Sequence, residues 1–170
     1  MSASEKIVVY MGSFNPVHNG HLIIIDQILE KHPRLHLFVR YNDGVDLTSW
    51  EIKKRWFNQI NADRGNRIIL HKLTTESMKG KQYNAGIFSS FIYLFQDEIG
   101  APIDEVWAGE DAAPLVAAAK ADFPNVDFVL VERQRHINST AIREDLEGHR
   151  DWLPPFVYRD LKTLKEARHA

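Results

Sequence analysis

The sequence predicts an α/β fold in which helices cover both faces of a parallel sheet of five strands. Five apolar segments of strand length alternate with longer segments whose apolar residues recur at helical spacing. The predicted strands are almost continuously apolar, which is typical of strands buried on both faces of a sheet. Alternation of this kind favours parallel strands joined by helical crossovers. The length, 170 residues, predicts one doubly wound domain over residues 1–170.

The elements follow one another regularly along the chain. Strands are predicted at 7–11, 35–41, 67–73, 105–109 and 127–133. Helices are predicted at 20–32, 49–60, 83–98, 112–121, 139–147 and 155–167. The first helix is expected to end before Pro33, because the residue preceding a proline disfavours helical backbone. Ser49 is expected to cap the second helix. Residues 74–86 are the most irregular stretch, for which a mobile loop and an ordinary surface loop are both compatible interpretations.

The composition excludes several classes of site and partner. Residues are 44% hydrophobic and 26% charged, and the net charge of −2 provides no basic field for nucleic acid or an anionic membrane. The absence of cysteine excludes disulfides, thiolate nucleophiles and cysteine metal sites, and is consistent with a cytoplasmic location. Neither a signal peptide nor a membrane-spanning segment is predicted, because the apolar stretch at 85–95 is too short and interrupted.

The segment GSFNPVHNGHL, residues 12–22, directly follows the first predicted strand. In open parallel sheets, ligands bind beyond the carboxyl ends of the strands, so this segment is expected to border a site. Gly12 would let the backbone approach a ligand closely, and the helix that begins near Gly20 would direct unpaired N–H groups at an anion. His18 and His21 stand three residues apart and would reach one face of the first turn. The segment therefore predicts a polyphosphate site.

Other interpretations of this segment fit less well. A single histidine at a helix start is commonly a surface or capping residue, but two that flank a glycine after a first strand are less ordinary. Zinc-binding helices usually place their histidines four residues apart, and no third ligand stands at a matching spacing, so no protein side chain is assigned to a metal. Gly12 and Gly20 are too far apart for the dinucleotide-binding fingerprint, and the residues around Gly80 and Lys81 do not form a P-loop.

A second segment, HINSTAIRED (136–145), follows the fifth predicted strand, where the same edge of the sheet should open. Ser139 and Thr140 begin a predicted helix, and hydroxyls at a helix start cap the helix and can bind phosphate. Arg143 lies one turn further, and its planar guanidinium suits pairs of phosphate oxygens. Taken alone, this pattern is that of an ordinary capped helix. Its position predicts that it borders the crevice beside the first segment.

Together, the two segments resemble the two signatures of the nucleotidylyltransferase superfamily. GSFNPVHNGHL resembles G-x-F-x-P-x-H-x-G-H, and INSTAIR (137–143) resembles I-S-S-T-x-I-R. Their order, near the two ends of one short α/β chain, is specific. The resemblance implies a Rossmann-like fold. It also implies an enzyme that transfers a nucleotidyl group from ATP or CTP to a phosphate or hydroxyl and releases pyrophosphate, with no nucleophilic residue of its own.

The resemblance also implies roles for individual residues. The catalytic groups would be His18, His21 and Arg143. Gly109 and Asp111, in the segment WAGED (107–111), resemble a G-x-D segment that holds a ribose. The implied ATP-binding set is Gly12, Ser13, Phe14, His18, His21, Gly109, Asp111, Ser139, Thr140 and Arg143. Mg²⁺ would enter with ATP and keep most of its waters, so that no dedicated carboxylate cage is required.

Within the superfamily, the chain most resembles nicotinamide mononucleotide adenylyltransferases. GSFNP is the form seen in some of them, with Asn15 where many relatives carry aspartate, and DWLPPFVYRDL (151–161) resembles their tail. The resemblance implies ATP and a mononucleotide as substrates. Members of the family often assemble into homo-oligomers, which this sequence does not decide. The implied acceptor-binding residues are Ser13, Phe14, Asn15, Lys54, Arg55, Phe88 and Trp107.

Several of these acceptor assignments have plain structural alternatives. Lys54 and Arg55 could reach a phosphate, but a lysine–arginine run is usually a solvated helix face. Trp107 could stack on a nicotinamide ring, but core packing is the more common role of a tryptophan at a strand end. The acceptor could instead be phosphopantetheine, FMN or glycerol phosphate. The chain could also be a nucleotide-binding regulator that lacks turnover, whereas a nucleic-acid-binding module is not expected because no basic stripe is present.

Overall fold

A computed structural model of the chain describes residues 5–78, 88–132 and 137–168. The strands are β1 (Val8–Gly12), β2 (Leu35–Arg40), β3 (Ile68–Leu73), β4 (Glu105–Gly109) and β5 (Asp127–Val131). The helices are α1 (Asn19–Lys31), α2 (Trp50–Ala62), α3 (Thr75–Met78), α4 (Phe88–Ile99), α5 (Ala113–Asp122), α6 (Ser139–Glu144) and α7 (Pro155–Arg168). The strands form one all-parallel sheet in the order β3-β2-β1-β4-β5, which confirms the predicted α/β fold class.

Each face of the sheet is covered by its own set of helices. Alternate residues of a strand point to opposite faces, so Val8 and Tyr10 join one core and Val9 joins the other. The first core contains side chains of α1, α2, α6 and α7, and the second contains side chains of α4 and α5. Val8 and Val9 are both completely buried. This two-sided burial is the reason why the predicted strands are almost continuously apolar.

The direction of winding reverses between β1 and β4. β1 pairs with β2 on one side, where Gly12 lies opposite Val39, and with β4 on the other, where Tyr10 lies opposite Trp107. The chain winds outward from β1 to β3 and then returns to β4 and β5 on the other side of β1. Connections leaving β1 and β4 therefore diverge at their carboxyl ends, and this is the place where open α/β sheets bind ligands.

The observed elements differ from the predicted ones mainly at their ends. The predicted helix at 139–147 is too long, because α6 ends at Glu144, where the next residue, Asp145, leaves the helical conformation with φ −146° and ψ 87°. A 3₁₀ segment then occupies Glu147–Trp152. Of the predicted helix at 83–98, residues 88–98 belong to α4, and residues 83–87 lie outside the described residues.

The irregular stretch at 74–86 is described only in part. Thr75–Met78 forms a single helical turn, α3, and residues 79–86 lie outside the described part of the chain. Asn42, in the loop after β2, holds the start of this turn, because its Oδ1 accepts hydrogen bonds from the backbone N–H of Thr75 at 3.1 Å and from the hydroxyl of Thr75 at 2.8 Å. Over the described residues, no helix has the length and apolar content needed to cross a bilayer.

Candidate functional site

A cavity of about 280 Å³ opens at the crevice between the carboxyl ends of β1 and β4. Its walls are formed by the ends of both strands, the first turns of α1, the segment after β4 and one residue before α6. The lining residues are Tyr10, Met11, Gly12, His18, Gly20, His21, Ile24, Gly109, Asp111, Ala112 and Ile137. The structure thus brings five of the residues implied in ATP binding, from two distant segments, to one cavity: Gly12, His18, His21, Gly109 and Asp111.

His18 and His21 cap the amino end of α1 as a reciprocal pair. Nδ1 of His18 accepts a hydrogen bond from the N–H of Gly20 at 3.1 Å, and Nδ1 of His21 accepts one from the N–H of His18 at 3.1 Å. The two rings stack with their centroids 3.7 Å apart and an interplanar angle of 18°. Because an Nδ1 that accepts a hydrogen bond carries no proton, each neutral ring holds its proton on Nε2. The cap therefore selects the tautomer in which Nε2 is the donor.

Two glycines leave room for the rings of this site. A Cβ on Gly20 would lie 2.9 Å from Cε1 of His18, a distance at which something must shift. A Cβ on Gly12 would lie 2.8 Å from Cζ of Phe14. The absence of a side chain on Gly20 therefore lets the His18 imidazole fold over the start of α1. Gly12 borders the cavity and, in addition, accommodates the ring of Phe14 behind it.

Phe14 supports His21 from the core side of the cavity. Its side chain is 1% exposed, and its backbone has φ +48°, a conformation uncommon for a residue with a side chain. The Phe14 ring packs edge-on against the imidazole of His21, with centroids 4.7 Å apart, and against Phe57 of α2 at 5.2 Å. The orientation of His21 is thus determined by packing on one side and by the helix cap on the other.

The second predicted segment lies directly against the first. Nη1 of Arg143 donates to the backbone carbonyl of Asn15 at 2.7 Å, and the hydroxyl of Ser139 donates to the carbonyl of Pro16 at 3.1 Å. Nη2 of Arg143 donates to the hydroxyl of Thr140 at 3.2 Å. All three side chains of the second segment are therefore engaged at or beside the loop after β1. They are not among the residues that line the 280 Å³ cavity.

The cap of α6 is Asn138, which corrects the expectation that Ser139 and Thr140 cap this helix. Oδ1 of Asn138 accepts a hydrogen bond from the N–H of Ala141 at 2.8 Å. The two hydroxyls that follow are drawn to other partners, the carbonyl of Pro16 and the guanidinium of Arg143. The earliest side chain of the appropriate type at the helix start takes the capping position, which leaves the hydroxyls for tertiary contacts.

A buried lysine that the sequence analysis did not single out lies beneath the first loop. Lys53 of α2 is 1% exposed, and its Nζ donates to the carbonyl of Ser13 at 2.5 Å, to the carbonyl of Arg40 at 3.1 Å and to Oδ1 of Asp46 at 2.5 Å. Burial lowers the pKa of Lys53, and the hydrogen bond and charge of Asp46 oppose that shift. Lys53 thus joins the carboxyl ends of β1 and β2 beside the cavity.

The helical phase of α2 is the sequence signal that could have identified Lys53. The buried residues of this helix are Lys53, Trp56, Phe57 and Ile60. Lys53 stands three and four residues before the two aromatic residues, so it shares their face, whereas its neighbours Lys54 and Arg55 point to solvent. A lysine in phase with a buried aromatic face must find a partner for its charge, which here is Asp46.

None of the seven implied acceptor-binding residues is among those that line the cavity, and four of the seven lie away from the loop after β1. Lys54 is exposed, and Arg55 forms an ion pair with Asp160 of α7 at 2.6 Å. Phe88 is 9% exposed and belongs to the core on the α4 face. Trp107 is 3% exposed and donates from Nε1 to Oε1 of Glu105 at 2.5 Å. Lys54 and Arg55 thus lie on a solvated helix face, and Phe88 and Trp107 are core residues.

The remaining acceptor assignments lie on the loop after β1. Ser13 is exposed, and its backbone carbonyl is the one held by Lys53. Asn15 is half-buried, and its Oδ1 accepts a hydrogen bond from the N–H of Leu47 at 2.9 Å. Asn15 therefore connects the loop after β1 to the loop after β2 through its side chain, and to Arg143 through its carbonyl.

Comparison with known proteins points to one family. A family model described as cytidylyltransferase-like matches residues 9–145. The chain is 25% identical over 178 residues to the trifunctional NAD biosynthesis/regulator protein NadR of Salmonella typhimurium. That alignment covers 94% of this chain and 42% of the relative. It is 27% identical over 173 residues to the nicotinamide-nucleotide adenylyltransferase of Sulfurisphaera tokodaii, with 92% of this chain and 91% of the relative covered. The chain spans less than half the length of the first relative.

The fold has counterparts among solved structures. A bifunctional NMN adenylyltransferase/ADP ribose pyrophosphatase from Francisella tularensis, complexed with AMP and a Mn ion, aligns with a TM-score of 0.67. The alignment covers 96% of this chain and 50% of that one, at 15% sequence identity. At this identity the likeness shows the fold.

Proposed function

The chain belongs to the cytidylyltransferase-like family, and on that premise we propose that it moves AMP from ATP onto nicotinamide mononucleotide, forming NAD and pyrophosphate. One observation carries the proposal: a single cavity at the switch point of the sheet is lined by His18 and His21 from one segment and by Gly109 and Asp111 from another. The acceptor is proposed from a relative named nicotinamide-nucleotide adenylyltransferase, which matches over nine-tenths of both chains.

The lining of the cavity suits the parts of a nucleotide. The carboxylate of Asp111 can accept hydrogen bonds from the two ribose hydroxyls, with Gly109 leaving the approach open. The amino end of α1 carries the positive end of the helix dipole, which favours phosphate. The Nε2–H groups of His18 and His21 would donate to phosphate oxygens beside it. Arg143, which donates a hydrogen bond to the carbonyl of Asn15 in the loop after β1, would hold the outer phosphates.

The proposed reaction is an in-line displacement at the α-phosphorus of ATP. A phosphate oxygen of the acceptor forms the new P–O bond while the bond from the α-phosphorus to the α,β-bridging oxygen breaks, and pyrophosphate leaves with the electron pair. Negative charge grows on the bridging oxygen and on the pyrophosphate. Positioned donors such as His18, His21 and Arg143 stabilise that charge, so that the protein needs to supply position and electrostatics rather than a nucleophile.

A divalent cation fits this site as a companion of the nucleotide. Across the described ranges, no group of three or more His, Asp or Glu side chains is placed to hold a metal ion. Asp111 is the one carboxylate among the described lining residues. We therefore propose that Mg²⁺ is bound mainly by phosphate oxygens and water, as is usual for this ion, and that it supplies neutralisation of the triphosphate charge when bound.

A direct assay of acceptors tests the proposal. The purified chain would be given ATP and Mg²⁺ with nicotinamide mononucleotide, phosphopantetheine, FMN or glycerol phosphate, and with CTP in parallel. Pyrophosphate release and the mass of the product would be measured. We expect the highest kcat/KM for ATP with nicotinamide mononucleotide, and NAD as the product. Preference for another acceptor would assign a different reaction in the same family, and micromolar ATP affinity without any turnover would indicate a nucleotide-binding regulator.

A further inference from the structure

A second cavity, of about 200 Å³, lies between α6, α7 and the loop after β2. It is lined by Leu47, Ile142, Arg143, Leu146, Leu161, Leu164, Lys165 and Arg168. We call it the α6–α7 pocket. Among the described residues it shares no lining residue with the cavity of His18 and His21, although Arg143 connects the two regions through its hydrogen bond to Asn15. The α6–α7 pocket is thus a separate space beside the proposed triphosphate site.

The floor of the α6–α7 pocket is apolar. Ile142, Leu146 and Leu161 are 1%, 8% and 7% exposed, and all three belong to the core that packs on the α1 face of the sheet. Leu47 and Leu164 are half-buried and extend this surface toward the opening. A surface of five aliphatic side chains offers nothing to a fully hydrated ion, but it favours the transfer of a ring or short chain out of water.

The rim of the pocket is cationic. Arg143, Lys165 and Arg168 line it, and the described lining residues include no carboxylate. Arg143 and Arg168 donate to the oxygens of Asn15, Thr140 and Leu47, which are neutral, and no ion pair within the described chain involves any of the three cations. Three cationic residues that line one space, with no carboxylate among its described lining residues, favour the binding of an anion there.

The helix dipole does not account for this arrangement. Lys165 and Arg168 stand in the last turn of α7, where cations are favoured by the negative end of the dipole. Arg143 comes from a different helix, α6, and lines the same pocket. The combination of an apolar floor and cations from two helices is complementary to a molecule that has both an apolar and an anionic part.

We propose that the α6–α7 pocket binds a small amphiphilic anion, in which a phosphate or carboxylate is joined to an apolar ring or short chain. The anionic group contacts Arg143, Lys165 and Arg168, and the apolar group covers the leucines of the floor. Because Arg143 is also proposed to hold the outer phosphates of ATP, an occupant competes with ATP for its guanidinium. The pocket would then regulate ATP binding. This coupling depends on the proposed function, whereas binding of the anion does not.

Three matched probes test the binding of such a ligand to the complete chain. Phenyl phosphate carries the ring and the charge, inorganic phosphate carries only the charge, and phenol carries only the ring. Their Kd values would be measured by NMR titration. We expect phenyl phosphate to bind at least about tenfold more tightly than either partial probe. It makes both the charged and the apolar contacts, and one added contact of ordinary strength is enough to lower the Kd by that factor.

Two charge-matched double variants locate the site. In K165Q/R168Q we expect phenyl phosphate to lose its advantage over phenol, because two of the three rim cations are gone. The control variant K54Q/K120Q removes the same net charge at exposed positions on α2 and α5 and should bind phenyl phosphate like the unaltered chain. Equal affinity for phenol and phenyl phosphate, equal affinity for inorganic phosphate and phenyl phosphate, or undiminished binding in K165Q/R168Q would each overturn the proposed site.

The regulatory part has its own readout. Phenyl phosphate should raise the Kd of ATP for the unaltered chain and leave it unchanged in K165Q/R168Q. If phenyl phosphate binds as expected and the Kd of ATP does not move, competition for Arg143 is refuted while the site stands. If the chain neither binds ATP nor transfers AMP, the proposed function fails, and the comparison of the three probes still decides whether the pocket takes an amphiphilic anion.

Discussion

Nη1 of Arg143 donates a hydrogen bond of 2.7 Å to the backbone carbonyl of Asn15, a residue 128 positions earlier in the chain. The contact holds α6 against the loop after β1. It also fixes the guanidinium at Asn15, three residues before His18, and His18 and His21 form the cap of α1. A charged donor, two imidazoles and a helix dipole are thereby assembled from segments that have no local connection, and each can be removed separately.

Replacing Arg143 with alanine should weaken ATP binding more than it slows turnover. The change removes a charge-assisted donor to the outer phosphates, which costs about tenfold or more in the Kd of ATP. The ATP affinity of Arg143→Lys should lie between those of the unaltered chain and of Arg143→Ala. An ammonium keeps the charge but cannot span both Asn15 and Thr140. Equilibrium titration with ATP measures the effect, with exposed Arg159→Ala as the control. An unchanged ATP affinity in Arg143→Ala would contradict the proposed role.

Replacing His21 should separate its proposed catalytic role from its role in the helix cap. His21→Ala removes both the cap acceptor and the Nε2 donor, and kcat should fall by roughly 10²–10³. His21→Asn keeps an acceptor for the N–H of His18 and loses the Nε2 donor. We expect His21→Asn to retain most of the thermal stability, whereas His21→Ala loses about 1 kcal/mol of helix capping. Turnover and Tm would be measured on both, and near-normal turnover of the asparagine variant would show that the Nε2 donor has no catalytic role.

The buried cation Lys53 should be far more sensitive than its exposed neighbour. Lys53→Met removes the charge that neutralises Asp46 and leaves the carbonyls of Ser13 and Arg40 without this donor. An uncompensated buried charge costs about 3–5 kcal/mol of the free energy of unfolding. Lys54→Met makes the same chemical change one position later at an exposed site and should stay within about 0.5 kcal/mol. Urea unfolding would compare them, and similar midpoints for the two variants would be inconsistent with a structural role for Lys53.

A pair of histidines on β2 and β3 should make stability depend on pH. Nδ1 of His36 lies 2.9 Å from Nε2 of His71, and the His71 ring stacks on Phe38 with centroids 4.3 Å apart. Burial lowers the pKa of both rings, and the charge of His71 lowers the pKa of His36 further. As the pH falls, both histidines are therefore protonated more readily in the unfolded chain than in the folded chain. The contribution of this pair to the free energy of unfolding is fully present above about pH 6.5. It is lost progressively as the pH falls below that value.

Urea unfolding of the unaltered chain and of His71→Gln between pH 5 and 8 tests this prediction. Glutamine keeps a polar group near the Nε2 position and does not titrate. The variant should lose less stability than the unaltered chain between pH 7 and 5. A pH dependence as steep as that of the unaltered chain would mean that other groups cause the acid sensitivity.

The sequence alone predicted the features that residues close together along the chain determine, namely the type of each element and the helix starts. Alternation of apolar strands and amphipathic helices predicted the doubly wound sheet, and Ser49 caps α2 as expected, with its hydroxyl accepting from the N–H of Ile52. The start of α1 between His18 and Gly20 also followed from the local pattern. Periodicity, capping and the bias of turn residues all act within a few positions along the chain.

Only the tertiary structure decided which side chains face the cavity and which are buried behind it. Trp107 and Phe88 proved to be core residues, and Arg55 pairs with Asp160. The lysine of α2 that contacts the loop after β1 is the buried Lys53. The contacts of Lys53 and Arg55 depend on how far a helix rotates against its neighbours and on partners 40 and 105 residues away. The sequence determined the fold and the edge of the sheet at which the cavity opens, because local patterns repeat along the whole chain. The lining of the cavity depends on packing between distant segments, for which a single sequence contains no local signal.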